Sequence, residues 1–358
     1  MRAAIVAVFL VTISIPVALN VTGHDGGDPE GENRELVTFV GTNPGAWFND
    51  HFGLRSTLVR WYGEMRLFLL GVSPSTTVVK GKDGWFFYAD DKAVEDYISD
   101  DPLTAEALTN WREAIVRAHK WLQARHIAYV FVVAPDKHVL YPEEMPDTIR
   151  RIGQMSRMDQ FYGSLLDTGF LVDVRPPLIA QRARERIYQK TDTHWNDRGA
   201  FVAYEAIVNA ARTQVPAIPP PWTRDDFDPV TKKVEGMDLA AMMGLKRVLR
   251  EDDLQLVPKR PRVAQVLEPK GALASAEEGR LVTEIPDSPL PRAVIFRDSF
   301  ASQLAPFLSE HFSRALYLWQ NDFDAQVVEK EHPDIVIQEI VGRHLHNFIP
   351  SPELVPEP

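Results

Sequence analysis

Four short runs limit what this chain can fold into more than any other feature: "AYVFVVAPDK" (Ala128–Lys137), "RAVIF" (Arg292–Phe296), "RALYLWQ" (Arg314–Gln320) and "DIVIQEIV" (Asp334–Val341). A stretch this short and this apolar suits a strand covered on both faces, as in a parallel sheet. Helical stripes lie between them. Leu108, Trp111, Ile115, Ala118 and Leu122 recur at three- and four-residue spacing over Thr104–Gln123. A second helix–strand pairing covers about Gly153–Val174. Asn196–Ala211 is helical by pattern, with Asn196 as N-cap and Asp197 on the first turn. Further helices are expected from Ser299 and near Gln326–Lys330. Strands alternating with helices predict an α/β fold, a doubly wound and mostly parallel sheet.

Upstream, Leu54, Leu58, Trp61, Met65 and Phe68 mark an amphipathic helix ending at Gly71. "VVKGKDGWFFY" follows as a hairpin with Lys82-Asp83-Gly84 at its turn. Val215–Arg292 is Pro- and charge-rich and reads as an insertion with a few β segments, placed before the strand that leads to Ser299. The chain opens with Arg2 and an uncharged run from Ala3 to about Leu19, at the short end of the roughly 17–25 residues that cross a bilayer. Residues 1–23 are therefore read as a signal peptide or membrane anchor, with the rest exported. Residues 24–34 are read as a flexible spacer, 35–350 as one domain and 351–358 as a disordered tail.

The formal net charge is -11, which excludes nucleic acid as a partner, since phosphate contacts need clustered Lys and Arg. Cysteine is absent. No disulfide, thiolate metal site or Cys nucleophile can exist.

Two stretches carry chemistry. In "AVIFRDSFAS", Ser299 follows an apolar strand and opens a helix, at the sheet edge where open α/β folds place ligands. In "YQKTDTHWNDRGA", Asp192 and His194 lie two apart ahead of a helix, so in extended chain both side chains point one way. Serine needs a base, and a carboxylate behind the base fixes its tautomer. The plainer readings are a Ser299 N-cap and a chance or metal-binding D-x-H, for which His344 and His346 are the candidate further ligands. Taken together, nucleophile, base and orienter outweigh either alternative, and no metal or cofactor is expected. Asn321, with Gln320 second, follows the next strand and is the candidate oxyanion donor, or else a cap for the following helix. Trp195 and Trp319 could stack on a sugar ring or fill the core. Arg343 could hold an acyl or acidic group or form a surface salt bridge.

With these residues in place, the chain resembles the AlgX/AlgJ group of SGNH-hydrolase-like polysaccharide O-acetyltransferases. The likeness runs through "FNDHFGLR" (Phe48–Arg55), "GKDGWFFY" (Gly81–Tyr88), "APDKHVLYPEEMP" (Ala134–Pro146), "TDTHWNDRGA" (Thr191–Ala200), "FRDSF" (Phe296–Phe300) and "PDIVIQEIVGRHL" (Pro333–Leu345). The resemblance implies Ser299 as nucleophile, His194 as base and Asp192 as its partner. It also implies an acetyl-serine intermediate, a polysaccharide acceptor, and a membrane-bound O-acyltransferase as acetyl source. Arg297 stands where an SGNH block would carry Gly, and the usual oxyanion blocks are not recognisable. With no carbohydrate-binding module after the catalytic domain, the chain is closer to the AlgJ type. An acetyl esterase and a non-catalytic scaffold of an export complex are the competing expectations.

Overall fold

The computed structural model describes residues 2–21, 54–165, 168–268 and 279–357. The predicted spacer and most of "FNDHFGLR" lie outside the described residues. Where the sequence reading drew one domain over 35–350, the chain gathers into two compact units. The smaller comprises Met1–Ala89, Lys190–Asp192 and Lys233–Glu251, and the larger comprises Asp90–Gln189, Thr193–Lys232 and Asp252–Pro358.

In the smaller unit, Arg2–Val21 form a 20-residue helix. Among the described residues no helix is long and apolar enough to cross a membrane. A second helix, Arg55–Glu64, runs on as one π-helical turn, Met65–Leu69. Gly63 and Leu67 face inward, Leu67 joining Val78, Phe86, Leu239, Met243 and Leu245 in a small core. Gly63 lies close to Leu245, whose Cδ2 would stand 3.0 Å from an added Cβ and have to give way. The stripe read from the sequence faces the other way: Leu58, Trp61, Met65 and Phe68 are exposed. The hairpin forms as expected, β1 (Val78–Lys80) antiparallel to β2 (Phe86–Tyr88), with Asp83 and Gly84 both at positive φ. A two-residue turn of that kind matches the twist of its strands.

The larger unit is built on β3 (Ala128–Ala134), β4 (Leu171–Val172), β7 (Gln265–Glu268), β8 (Arg280–Glu284), β9 (Arg292–Arg297), β10 (Arg314–Trp319) and β11 (Ile335–Val341), while β5 (Phe227–Glu235) and β6 (Arg250–Pro258) pair with each other. The sheet order is β4-β3-β11-β9-β10-β8-β7. The first five strands are parallel, β8 pairs antiparallel with β10, and β7 pairs antiparallel with β8 and so runs with the first five. The end of the predicted insertion is thus part of the main sheet, extending its edge. After β10 the chain crosses to the far side of β9 to make β11. The order therefore reverses at β9, where doubly wound sheets open a crevice beyond their carboxyl ends.

Alternation along β3 sends Tyr129, Phe131 and Val133 into one core with Trp111, Ile115 and Phe161, and Val130 and Val132 to the opposite face. Helix Ala105–Gln123 begins at Thr104, whose side chain accepts the Ala107 N–H. Helix Asp197–Gln214 packs against β3, and the Gln214 amide pairs with both backbone groups of Tyr129. The last residues are not a free tail. Pro352–Leu354 make a short turn and Val355 is buried, because one apolar side chain between prolines, whose φ is fixed, docks at little entropic cost.

Candidate functional site

β9 delivers Arg297-Asp298-Ser299 to the carboxyl edge of the larger unit. The turn after it is a four-residue 3-10 segment, Ser299–Ser302, and its cap is Asp298, whose carboxylate accepts the Phe300 N–H at 2.9 Å. Ser299 is therefore not the cap that the plainer reading allowed. Its hydroxyl is half-buried, free of capping duty, and directed elsewhere.

It is directed at His194. Nε2 lies 2.8 Å from Ser299 Oγ, across 105 residues of chain. The loop bearing His194 is held by its neighbours. Tyr188 and Trp195 form an isolated antiparallel bridge, and Asn196 caps the next helix through the Arg198 and Gly199 N–H groups. A side chain on Gly199 would run into the Ile187 carbonyl, so only glycine lets helix and loop close together here. Trp195 is buried, donates from Nε1 to the Phe300 carbonyl at 3.0 Å and packs edge-on to the Phe300 ring. That ties the histidine loop to the serine turn and leaves no ring face for a sugar. The Phe300 ring also lies 4.8 Å from the His194 ring.

His194 Nδ1 lies 3.1 Å from Thr193 Oγ1. Asp192 belongs to the smaller unit, where a carboxylate oxygen of Asp238 lies within 4.8 Å of its own. In that unit Thr191 is fixed by Glu251, which accepts from its N–H at 2.7 Å and its hydroxyl at 2.9 Å.

Below the serine sits a buried polar network. Asp298 Oδ2 accepts the Val341 N–H at 2.6 Å and lies 3.2 Å from His344 Nδ1. Burial alone would raise the Asp298 carboxyl, but the His344 hydrogen bond and charge, the Phe300 N–H and Arg343 hold it below its ordinary value. Glu339 beneath it is pushed well up, first by burial and then by the Asp298 charge. The signal was in "DIVIQEIV": two polar residues inside a strand whose every position is buried.

The other candidates are placed plainly. Asn321 turns its side-chain oxygen to His344 Nδ1 at 3.3 Å, not to Ser299, and Asp324, not Asn321, caps the following helix. Gln320 is spent on a turn, its amide donating to the Asp322 carbonyl at 2.9 Å. Trp319 is partly exposed, with the Arg297 guanidinium 4.3 Å from its ring. Arg343 Nε lies 3.9 Å from the part-exposed Asp91 carboxylate, but its main partner is deeper. Arg343 is buried against Asp136, donating from Nη1 at 2.6 Å and from its backbone N–H at 2.7 Å. His344 and His346 face different carboxylates, Asp298 and Asp101.

A family described as "SGNH hydrolase-like domain, acetyltransferase AlgX" matches residues 78–321. A probable alginate O-acetylase AlgJ from Pseudomonas syringae pv. tomato is 28% identical over 142 residues, covering 39% of this chain and 34% of that protein. Its counterpart in Pseudomonas putida is 27% identical over 139 residues, with 38% and 34% covered. The chain thus spans about a third of the length of the curated relatives it matches. Among solved structures, Bacillus cereus PatB1 with a sulfonyl adduct superposes with a TM-score of 0.53 at 15% identity, covering 75% of this chain and 97% of that one. A DHHW family protein from Eubacterium siraeum gives 0.53 at 14% identity, covering 75% and 91%. These two likenesses establish the fold.

Proposed function

Because the chain belongs to the SGNH hydrolase-like acetyltransferase AlgX family, we propose that it transfers acetyl groups to hydroxyls of an exported polysaccharide through Ser299. The observation that carries this reading is the 2.8 Å approach of His194 Nε2 to Ser299 Oγ. A neutral imidazole takes the serine proton as Oγ attacks the donor's carbonyl carbon, and returns it to the departing group. The acyl-serine is then opened by a sugar hydroxyl, whose proton passes to the same nitrogen. Asp192 supplies the carboxylate that orients the ring and stabilises the imidazolium. Thr193 Oγ1 is a second partner for Nδ1.

The oxyanion falls to the backbone. Phe300 N–H is held by Asp298 and Ala301 N–H by Glu339, so the Ser299 N–H is the first-turn donor left to meet a developing negative charge. The AlgJ relatives are named as alginate O-acetylases, and a polysaccharide acceptor with a membrane-bound O-acyltransferase as acetyl source follows by analogy. The uncharged run Ala3–Leu19 is the sequence feature behind the reading of an inner-membrane anchor with a periplasmic domain.

The test is Ser299→Ala. With a chromogenic acetyl ester the wild type should release acetate and carry a mass increment of one acetyl group on the peptide containing Ser299. The variant should do neither, while unfolding within about 1 kcal/mol of wild type, as expected for a half-buried hydroxyl that caps nothing. Wild-type turnover in the variant would remove Ser299 from the mechanism. An acetyl-serine that always ends as free acetate, whatever glycan is added, would make the protein an esterase.

A further inference from the structure

Away from Ser299, the same sheet edge carries a cavity of about 350 Å³. That is within the range of small-ligand clefts. It opens beyond the carboxyl ends of β3 and β4. His138 lies on the short helix Lys137–Leu140 that follows β3, and Asp173 directly follows β4. β11 separates β3 from β9. At about 4.8 Å per strand, the cavity begins roughly 10 Å along the edge from the strand that delivers Ser299. That is the reach of a few sugar residues.

Its walls are rigid and rich in acceptors. The Arg175 guanidinium grips Asp173 through Nε at 2.9 Å and Nη2 at 2.8 Å, grips Asp159 through Nη1 at 2.6 Å, and lies 4.6 Å from the Tyr162 ring. Asp159 Oδ2 also accepts the Ser156 N–H and hydroxyl, and Asp173 Oδ1 the Arg175 N–H, so Asp159 Oδ1 and Asp173 Oδ2 are the oxygens with lone pairs left for a ligand's hydroxyls. Asp96 is buried and takes the Arg157 N–H at 2.8 Å, and its other oxygen lies 3.3 Å from His138 Nε2. Burial would raise the Asp96 carboxyl, but His138 and Arg157 outweigh it and keep it ionised. Tyr97 stands edge-on against the His138 ring, half-exposed, an apolar surface with a polar rim.

The charge balance selects the ligand. Three aspartates face two arginines, and Arg175 is fully committed to two of those aspartates. Arg151 alone could meet a carboxylate, within a chain of net charge -11. A uronate polymer would be repelled. A hydroxyl-rich, uncharged chain finds acceptors and one aromatic surface, and brings no like charge.

We propose that this cavity is an acceptor subsite for an uncharged glycan, holding the polymer so that a hydroxyl a few units along reaches the acyl group on Ser299; this rests on the acyl-transfer reading above.

The experiment is calorimetric titration of the full chain in detergent with uncharged hexaoses (β-1,4-linked glucose, mannose, galactose and N-acetylglucosamine) and with hexamannuronate. Two variants accompany it: Tyr97→Ala, and Ile179→Trp, which places a large ring in the cavity from an exposed helix position. At least one uncharged hexaose should bind, and both variants should weaken it by about tenfold or more. Hexamannuronate should not bind, and chromogenic ester turnover should stay at the wild-type level in both variants. Tighter binding of hexamannuronate, binding of none of the panel, or binding indifferent to Ile179→Trp would each overturn the subsite. Loss of ester turnover in Ser299→Ala is read separately, so the failure of one idea does not mask the other.

Discussion

Arg343 offers the sharpest separation of a structural role from a chemical one. It sits at the end of β11 beside the serine turn, its guanidinium carbon 5.6 Å from the Phe300 ring, and sequence reasoning placed it among substrate-binding candidates. Its buried contacts argue that it holds the sheet edge together. Arg343→Met keeps the backbone N–H bond to Asp136 Oδ2 but removes the Nη1 bond to Oδ1, leaving a buried carboxylate short of its counter-charge. Removing one partner of a buried pair costs about 3–5 kcal/mol. For a chain of 358 residues, whose unfolding entropy is about 0.75 kcal/mol/K, that is a fall in Tm of roughly 4–7 °C. The Asp136→Asn/Arg343→Met double variant should recover part of the loss, because no charge is then stranded. Urea unfolding of the wild type, both single variants and the double variant gives the coupling directly. Chromogenic ester turnover measured well below the new midpoint gives the catalytic effect. Arg343→Met that unfolds like wild type yet turns over ester a hundredfold more slowly would refute the argument and return Arg343 to the substrate.

Acid should act through His311. Its side chain is wholly buried, and burial lowers its pKa from 6.5 to about 4. Nε2 lies 2.6 Å from the Tyr204 hydroxyl, which itself accepts the Trp222 N–H at 2.7 Å. The unfolded chain binds a proton below 6.5 that the folded chain refuses until about 4. Stability is therefore lost as pH falls through that window, by ~3 kcal/mol. His311→Gln should flatten this part of the profile, and an unchanged slope would show that other groups drive it. Localisation is checked by fractionating cells with the first residues tagged. Full-length protein should sediment with the inner membrane, whereas a soluble periplasmic product beginning near His24 would mean cleavage, and cytoplasmic protein would end the export reading.

The sheet and the serine–histidine pair were legible because each leaves a local mark. Buried parallel strands must be apolar at nearly every position, and a residue that follows such a strand has only the sheet edge to occupy. The misreadings share a physical cause. Asn321 and Gln320 were assigned by position alone, but the partner of a short amide is set by whatever reaches it, here His344 and the Asp322 carbonyl. The exposed stripe on Arg55–Leu69 has the same period as the buried one, and periodicity cannot say which face a small core will claim. The cavity beside Tyr97 joins residues from four separate stretches, and no single stretch announces it. Glu339 could have been found, since a glutamate in a wholly buried strand needs a reason.

The order of the strands also sets a timetable for the protein's synthesis. β3 lies between β4 and β11, and the Asp136–Arg343 pair that closes its carboxyl end joins residues 207 apart. Trp111 waits longer still for the Leu345 carbonyl, 234 residues downstream. At roughly 5–20 residues per second, β3 leaves the ribosome some 10–40 s before the strand that must cover its flank. Until then it presents an apolar edge of unpaired N–H and C=O groups, the kind that recruits another chain. A chain halted before β11 would expose such an edge on both β3 and β9, with Ser299 present but the Val341 and His344 partners of Asp298 missing. An unfinished copy is therefore inactive as well as adhesive, and a chaperone that shields the nascent chain would have to hold it almost to the last strand.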